Sequence, residues 1–251
     1  MNSVQGTTNL QPTPSMLVYL FADRLFQQKR RAKWKRARTI RVPCKDDVAV
    51  AAKDLAGGLF AVSFWNLREQ GIISLEPFQK KTLLGDSTPA LRVVKVNQIE
   101  SKSILEALIL HLLRDQAEDD VRTLVKRWFG SDEIRESQLY GLLIGIPARE
   151  AINLGYIGQI DSSSGEEPEK VDMPVTLGRF RTGPLRLAEG LEPRCEKIAT
   201  LEGSFNDFAL RMQGFQTTEA ELYALLLNEC TGAVLSCISS LDRPWGYKGI
   251  W

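Results

Sequence analysis

The stretch AVAAKDLAGGLFAVSFWNLREQG, from Ala49 to Gly71, is the part of this sequence that most clearly indicates the fold. Placed on a helix it is apolar on nearly all sides, and the glycine that closes it is a natural stop signal. A helix without a polar face belongs in the interior of a protein. We therefore predict a buried central helix around which the other elements pack.

A β-hairpin is predicted directly after this helix. The runs IISLEPF and LRVVKV are rich in β-branched residues, and the turn-rich stretch QKKTLLGDSTP separates them. Apolar spacing then predicts three helices, at about Ser103–Arg114, Ala117–Phe129 and Glu136–Leu154. Pro147 is expected to interrupt the last of these, and Gly155 to end it.

The order helix, glycine, strand, loop, strand then occurs a second time. After Gly155 come YIGQID, the acidic loop SSSGEEPEK and MPVTLGRF, which predict a second hairpin. Towards the C-terminus, TTEAELYALLLNECTGAVLSCISSL predicts a long apolar core helix that begins with a capping box at Thr217 or Thr218.

At the other end of the chain, MLVYLFADRLFQQ has the apolar spacing of an amphipathic helix, with Leu17, Phe21 and Leu25 on one face. Polar residues 1–15 precede it and are expected to form a disordered head. Residues 16–251 are then predicted to form one mainly α-helical domain with one or two β-hairpins.

Composition agrees with one substantial globular core, since 43% of the 251 residues are apolar and 25% are charged. The first residues lack the basic start and apolar run of a signal peptide, and no apolar run reaches the ~20 residues that a membrane span requires. We expect a cytoplasmic protein whose membrane contact, if any, is peripheral. Four cysteines without a CxxC pair do not resemble a disulfide framework and favour a reducing compartment.

Signals for catalysis are weak. The one histidine, His111, is expected to be a buried or half-buried structural residue, because no metal-ligand spacing surrounds it. The chain has no GxSxG elbow and no GxGxxG or GxxxxGK[ST] phosphate loop. We predict a non-enzyme without cofactor or metal. Three acidic pairs are expected to be solvated surface charges: Asp119 with Asp120, Asp132 with Glu133, and Glu166 with Glu167.

The strongest physical signal is the basic segment KRRAKWKRARTIR, Lys29 to Arg41, with eight lysines and arginines and no acid. The whole chain has a formal charge of +1, so +8 in this segment leaves −7 for the rest. Such a segment can hold an anionic membrane, with Trp34 as an anchor at headgroup depth. It can equally bind nucleic-acid phosphates or serve only as a solvated linker.

The order of elements resembles a known family. GGLFAVSFWNLREQGIISLE, KKTLLG, LRVVKV and SKSILEALILHLL are similar to a helix, hairpin and helix of the Golgi phosphoprotein 3 (GPP34) family. RTLVKRWFG, SQLYGLLIGIPAREAINLGYIG, FRTGPLRL and ELYALLLNECTGAVLSCISSLD continue the resemblance to about Asp242. It implies a non-enzymatic helical domain that binds phosphatidylinositol 4-phosphate on Golgi membranes and selects glycosyltransferase tails for retrieval by coatomer.

The resemblance also implies a lipid pocket made of a tryptophan before the buried helix and arginines from that helix and a mid-chain helix. Trp34 matches the tryptophan by position. Ala56 stands where the first arginine is expected and QLYGLLIGIP is uncharged, so Lys53 and Arg149 are the nearest substitutes. The second hairpin departs as well, because its loop carries glutamates where the family has an apolar tip.

These observations predict a peripheral membrane adaptor involved in vesicle trafficking, which binds a phosphoinositide-like lipid on one face and a protein cargo or coat component on another. The predicted lipid-binding residues are Arg30, Arg31, Lys33, Trp34, Lys35, Arg36, Arg38, Lys53 and Arg149. The tip of the first hairpin is a predicted interaction site formed by Lys80, Lys81, Leu83 and Leu84. The alternative is a nucleic-acid-binding protein of two tandem winged helices, but the helix before each wing is strongly apolar.

Overall fold

A computed structural model describes the chain over residues 11–28, 39–45, 48–81, 85–101, 103–114, 118–130, 134–159 and 191–238. Over these ranges the fold is mainly α-helical with small antiparallel sheets, as the sequence predicts. The helices are α1 Pro14–Leu20, α2 Ala22–Leu25, α3 Ala52–Glu69, α4 Ile104–Leu112, α5 Val121–Phe129, α6 Glu136–Asn153, α7 Cys195–Ala199, α8 Glu202–Thr218 and α9 Ala220–Ser236.

Seven strands form three separate sheets in the described part of the chain. The strands are β1 Thr39–Arg41, β2 Ala49–Ala51, β3 Ile73–Lys81, β4 Ser87–Lys95, β5 Glu118–Asp120, β6 Ile157–Gln159 and β7 Leu191–Pro193. The sheets are β1–β2, β3–β4–β5 and β6–β7, and every pairing is antiparallel.

Helix α3 is the buried centre of the domain, as predicted. Every residue from Leu55 to Leu67 is buried, and α1, α4, α6 and α9 pack around it. Gly71 follows the helix with φ 66°, in the left-handed region that favours glycine. The absence of a polar face in the sequence therefore corresponds to packing on all sides.

The first helical segment differs from its prediction. Instead of one amphipathic helix, the chain forms α1 and α2 with a break at Phe21, and every side chain from Ser15 to Ala22 is buried. The hydroxyl oxygen of Thr13 caps α1 by accepting a hydrogen bond from the backbone N–H of Met16 at 3.2 Å. The folded domain thus begins before the predicted boundary at residue 16.

The first hairpin is confirmed, and its strands are longer than predicted. The register of β3 and β4 runs from Ile73 opposite Lys95 to Lys81 opposite Ser87, so much of the predicted loop is strand. The predicted helix from Ala117 is wrong in its first turn, because Glu118–Asp120 form β5 on the free edge of β4. Edge pairing in this sheet overrides the local helical pattern.

Helix α6 continues through Pro147, contrary to the predicted interruption. The proline is buried, and packing keeps the helix intact although one N–H donor is missing. After Gly155, with φ 71°, strand β6 pairs with β7. The stretch MPVTLGRF and the acidic loop before it lie outside the described residues, so the second hairpin stays a prediction in the form given above.

The long C-terminal helix is confirmed as α9, but the predicted capping box is wrong. The hydroxyls of Thr217 and Thr218 donate to main-chain oxygens in the last turn of α8, including that of Gly214 at 3.0 and 2.8 Å. Glu219 is the N-cap residue of α9. Its carboxylate oxygens lie 2.9 and 2.8 Å from the guanidinium of Arg68, which joins the α8–α9 corner to the end of α3.

Candidate functional site

Most of the predicted lipid-binding set lies in the basic segment, and residues 29–38 are outside the described part of the chain. This applies to Arg30, Arg31, Lys33, Trp34, Lys35, Arg36 and Arg38. The structure describes the residues on either side of this stretch, which are Gln28 and strand β1.

Val50 pairs with one residue from each side of the undescribed stretch 29–38. Ile40 of β1 pairs with Val50 in the β1–β2 ladder, and Gln28 forms an antiparallel bridge with the same residue. A strand residue has one neighbour on each edge, and adjacent strands lie about 4.8 Å apart. Gln28 and Ile40 are therefore on the order of 10 Å apart, on opposite sides of β2.

This attachment point is rigid because β2 is built into the core. Ala49, Val50 and Ala51 are buried, and β2 leads directly into α3 with Ala51 as the N-cap residue. Gln28 and β1, which flank residues 29–38, therefore pair with a strand that is continuous with the central helix. We call Gln28 with β1 and β2 the anchor sheet.

Further cations border the anchor sheet. Lys53 is exposed in the first turn of α3, three residues after Val50, and Lys45 is exposed in the β1–β2 turn. Arg41, the last basic residue of the segment, is half-buried, and its Nε is buried without a hydrogen-bond partner in the described structure. The structure thus brings Lys53 to the anchor sheet, and it adds Lys45, which sequence reasoning missed.

Arg149, the other substitute for the family's arginines, lies on a different element. It is exposed on α6, which packs against α1, α3 and α4. The next residue, Glu150, points into the protein and is buried. Arg149 is therefore presented by a helix that does not belong to the anchor sheet.

The cysteines correct the expectation that no disulfide is present. Cys44, in the β1–β2 turn, is bonded to Cys195, the first residue of α7, with the two Cα atoms 5.5 Å apart. The pair is 151 residues apart in sequence, so no spacing pattern could indicate it. The cysteine-based argument for a reducing compartment loses its support. Cys230 and Cys237 are buried, and burial raises the pKa of the Cys230 thiol.

At the predicted interaction tip, Lys80 and Lys81 are exposed near the end of β3, whereas Leu83 and Leu84 lie outside the described residues. Lys80 also has an internal partner, because its Nζ lies 2.9 Å from Oδ2 of Asp120. Burial raises the pKa of Asp120, but hydrogen bonds from Lys80 and Thr123 outweigh this and lower it below its usual value.

Asp119 and Asp120 are therefore not free surface charges, which corrects the expectation for this pair. Asp119 accepts from Arg127 at 2.9 Å, and Asp120 caps α5 by accepting from the backbone N–H of Thr123 at 2.9 Å. The other two acidic pairs lie outside the described residues.

The expectation that His111 is buried or half-buried also needs correction, because the residue is exposed on α4.

A buried pair of glutamates went unnoticed in the sequence. Glu150 accepts hydrogen bonds from the backbone N–H of Ile104 at 2.9 Å and from the hydroxyl of Ser15 at 3.2 Å, and also from Thr13. It thereby holds the N-termini of α4 and α1 together. Its sequence context, an apolar helix with one charged pair, contains no signal for this role.

The second glutamate, Glu106 of α4, accepts from Nδ2 of Asn66 at 2.8 Å and from the hydroxyl of Ser101. Burial raises its pKa, against the effect of these two hydrogen bonds, and the nearby Glu150 raises it further. Because the oxygens of both carboxylates are used by these helices and their caps, we assign the pair a structural role. In the described ranges, no group of three or more His, Cys, Asp and Glu residues could hold a metal ion.

No protein-family model matches this chain, and neither the curated proteins nor the solved structures contain a match. Among the helices that the structure describes, none is long and apolar enough to span a bilayer.

Proposed function

We propose that this protein is a non-enzymatic adaptor that binds an anionic membrane surface through the basic segment Lys29–Arg41 and a protein cargo or coat component through another face. The observation that carries the proposal is the attachment of both Gln28 and Ile40 to Val50. We infer that this attachment keeps the eight cations within a short tether of the anchor sheet.

The charge distribution supports this choice. A basic residue near an anionic leaflet contributes about 1 kcal/mol, so several of the eight cations acting together suffice for reversible attachment. The remainder of the chain has a formal charge of −7, which anionic lipid repels. Attraction of the basic segment and repulsion of the rest of the chain together orient the domain with the anchor sheet towards the bilayer. Trp34 adds an amphipathic side chain suited to the headgroup region.

The fixed ends of the segment also lower the cost of binding. A segment tethered at both ends to neighbouring points has fewer conformations to lose than a free terminal tail of the same length. The same eight charges therefore bind better from the anchor sheet than from an untethered tail. A segment that served only as a solvated linker would gain nothing from this arrangement.

For the lipid itself, we propose a phosphoinositide with a phosphomonoester headgroup, phosphatidylinositol 4-phosphate on a Golgi membrane being the choice that the family resemblance suggests. Guanidinium groups form bidentate hydrogen bonds with phosphate oxygens, which suits Arg36 and Arg38. Lys53 borders the anchor sheet and supplies a further cation, and Arg149 would have to contribute from α6.

The winged-helix alternative receives less support from the geometry. A DNA-reading helix needs a solvent-facing polar side, but α3, the helix before the β3–β4 hairpin, is buried at every residue from Leu55 to Leu67. Nucleic-acid binding through the basic segment alone remains the competing outcome of the test below.

The proposal is tested by vesicle co-sedimentation beside a gel-shift assay with DNA and RNA at matched salt. Three vesicle types are compared: neutral phosphatidylcholine, phosphatidylcholine with phosphatidylserine, and phosphatidylcholine with phosphatidylinositol 4-phosphate at equal total charge. We expect binding to both anionic vesicles, stronger with the phosphoinositide, and a steep loss as salt rises because screening shortens the reach of exposed charges to about 8 Å at 0.15 M. A gel shift without vesicle binding would replace the adaptor with a nucleic-acid binder.

A further inference from the structure

The disulfide between Cys44 and Cys195 joins two regions that are otherwise separate in the chain. Cys44 lies in the β1–β2 turn, which is closed by hydrogen bonds from the N–H of Val42 to the oxygen of Val48 at 3.1 Å and from the N–H of Lys45 to the oxygen of Val42 at 3.2 Å. Cys44 has φ 60°, a left-handed conformation that residues other than glycine rarely adopt. The turn therefore holds Cys44 in an unusual conformation, and its sulfur is bonded to Cys195.

On the other side, Cys195 begins a short helix with little core contact of its own. Of the five residues of α7, Ile198 is buried and the other four, Cys195 included, are exposed. The segment is held near β6 by hydrogen bonds from the N–H of Arg194 to the oxygen of Tyr156 at 2.8 Å and from Nζ of Lys197 to the oxygen of Leu154 at 3.0 Å. The disulfide is thus a cross-link between the anchor sheet and the α6–β6 region, and one of its two residues is open to solvent.

We propose that Cys44–Cys195 is a redox-active clamp that dithiol reductants open in the folded protein. Exposed disulfides are the ones that thiolates reach and that serve regulatory roles. A thiolate of the dithiol attacks Sγ of Cys195, the S–S bond breaks, and Cys44 leaves as a thiolate that takes a proton from water. The second thiol of the reductant then attacks the mixed disulfide and releases Cys195 as a thiol. Two electrons and two protons pass from the dithiol to the cysteine pair, and an oxidised dithiol reverses the reaction.

The clamp controls how firmly β1 and the β1–β2 turn are held against the fixed strand β2, and its regulatory meaning rests on the proposed function. With the disulfide intact, the β1–β2 turn is fixed to α7, so the end of the basic segment at β1 is fixed as well. With the disulfide open, Cys44 is free to leave its left-handed conformation and the turn separates from α7. Binding to an anionic membrane is then weaker, because ordering β1 and the β1–β2 turn becomes part of the binding cost.

The direct test treats the native protein with dithiothreitol, labels free thiols with a maleimide and counts them by mass. Cys230 and Cys237 are buried and act as internal controls, so we expect two labels per chain in native buffer and four after unfolding in urea. Hydrogen exchange should then be faster over residues 39–45 and 191–199 of the reduced protein and unchanged in β2 and α3, which are held by the core. A disulfide that resists reduction until the chain unfolds overturns the proposal, as does reduction without any change in exchange.

The regulatory step is tested by vesicle binding of oxidised protein, reduced protein and the double variant Cys44→Ser/Cys195→Ser. We expect severalfold weaker binding to phosphatidylserine vesicles for the last two. If the double variant does not fold, the reduced wild type gives the same comparison. Equal binding in both redox states overturns the regulatory step. If neither redox state binds vesicles, the proposed function is contradicted instead. Thiol labelling and hydrogen exchange then still show whether the disulfide opens in the folded protein.

Discussion

Gly57 of α3 and Thr231 of α9 lie where the two helices pack tightly, since a Cβ atom at Gly57 would lie 2.1 Å from Oγ1 of Thr231. The Cα of Thr231 would also lie only 3.2 Å from it. Even a methyl group at position 57 therefore requires the Thr231 side chain and its backbone to shift. The glycine therefore determines how closely α9 covers the central helix.

A methyl group at this point should be costly. We expect Gly57→Ala to lower the free energy of unfolding by roughly 1–3 kcal/mol, the usual effect of overpacking a tight core. Gly214→Ala in α8 is the matched control: its Cβ would meet nothing within 4 Å, and alanine in a helix is favoured over glycine by about 1 kcal/mol. Urea unfolding of both variants measures the difference. Equal stability of the two would show that α3 and α9 do not pack as described.

The buried Glu106 predicts a pH dependence of stability. Burial raises its folded-state pKa above the ordinary value of 4.5, so its stabilising contribution is complete below that pH and is lost as pH rises through the folded pKa. Glu106→Gln keeps an acceptor for Asn66 and does not titrate. We expect the wild type to lose stability relative to this variant as pH rises from about 4.5 towards neutrality. Thermal melts of both proteins across that range give the comparison, and a difference that is the same at every pH would rule out this titration.

The sequence predicted those helices and strands whose own residues carry a clear pattern of apolar and turn residues. Helix α3 and hairpin β3–β4 follow from apolar periodicity and from glycine or turn residues at their ends. Strand β5 could not be predicted in this way, because Glu118–Asp120 are acidic and form a strand only by pairing with β4. Its existence depends on contacts distant in sequence.

The candidate site shows the same division. The basic segment is evident from composition, but that Gln28 and Ile40 both lie beside Val50 is a property of the folded chain. The bond between Cys44 and Cys195 likewise needs the three-dimensional approach of two distant segments. Sequence therefore identified the charged group, and the structure identified what holds its ends.

The tip of the first hairpin supplies a test for Leu83 and Leu84. Leaving a leucine exposed forgoes about 1.5–3 kcal/mol relative to full burial, so these two side chains should be covered by the domain, by a partner or by lipid. The variant Leu83→Ser/Leu84→Ser distinguishes the outcomes by melting temperature and vesicle binding. A lower melting temperature with normal binding assigns the leucines to internal packing, and a normal melting temperature with weaker association assigns them to an interaction surface. If neither quantity changes, the tip has no part in the adaptor mechanism.

The central claim is that the basic segment attaches this domain to anionic membranes, and flotation of a charge-reversal variant tests it most directly. Arg36→Glu/Arg38→Glu changes the formal charge by four at the segment, and Arg114→Glu/Arg135→Glu makes the same change at two exposed positions elsewhere. We expect the first variant to lose flotation with phosphatidylserine vesicles at an unchanged melting temperature, and the second to float like the wild type. Flotation of the Arg36/Arg38 variant at the wild-type level would contradict the claim and leave the segment a solvated linker.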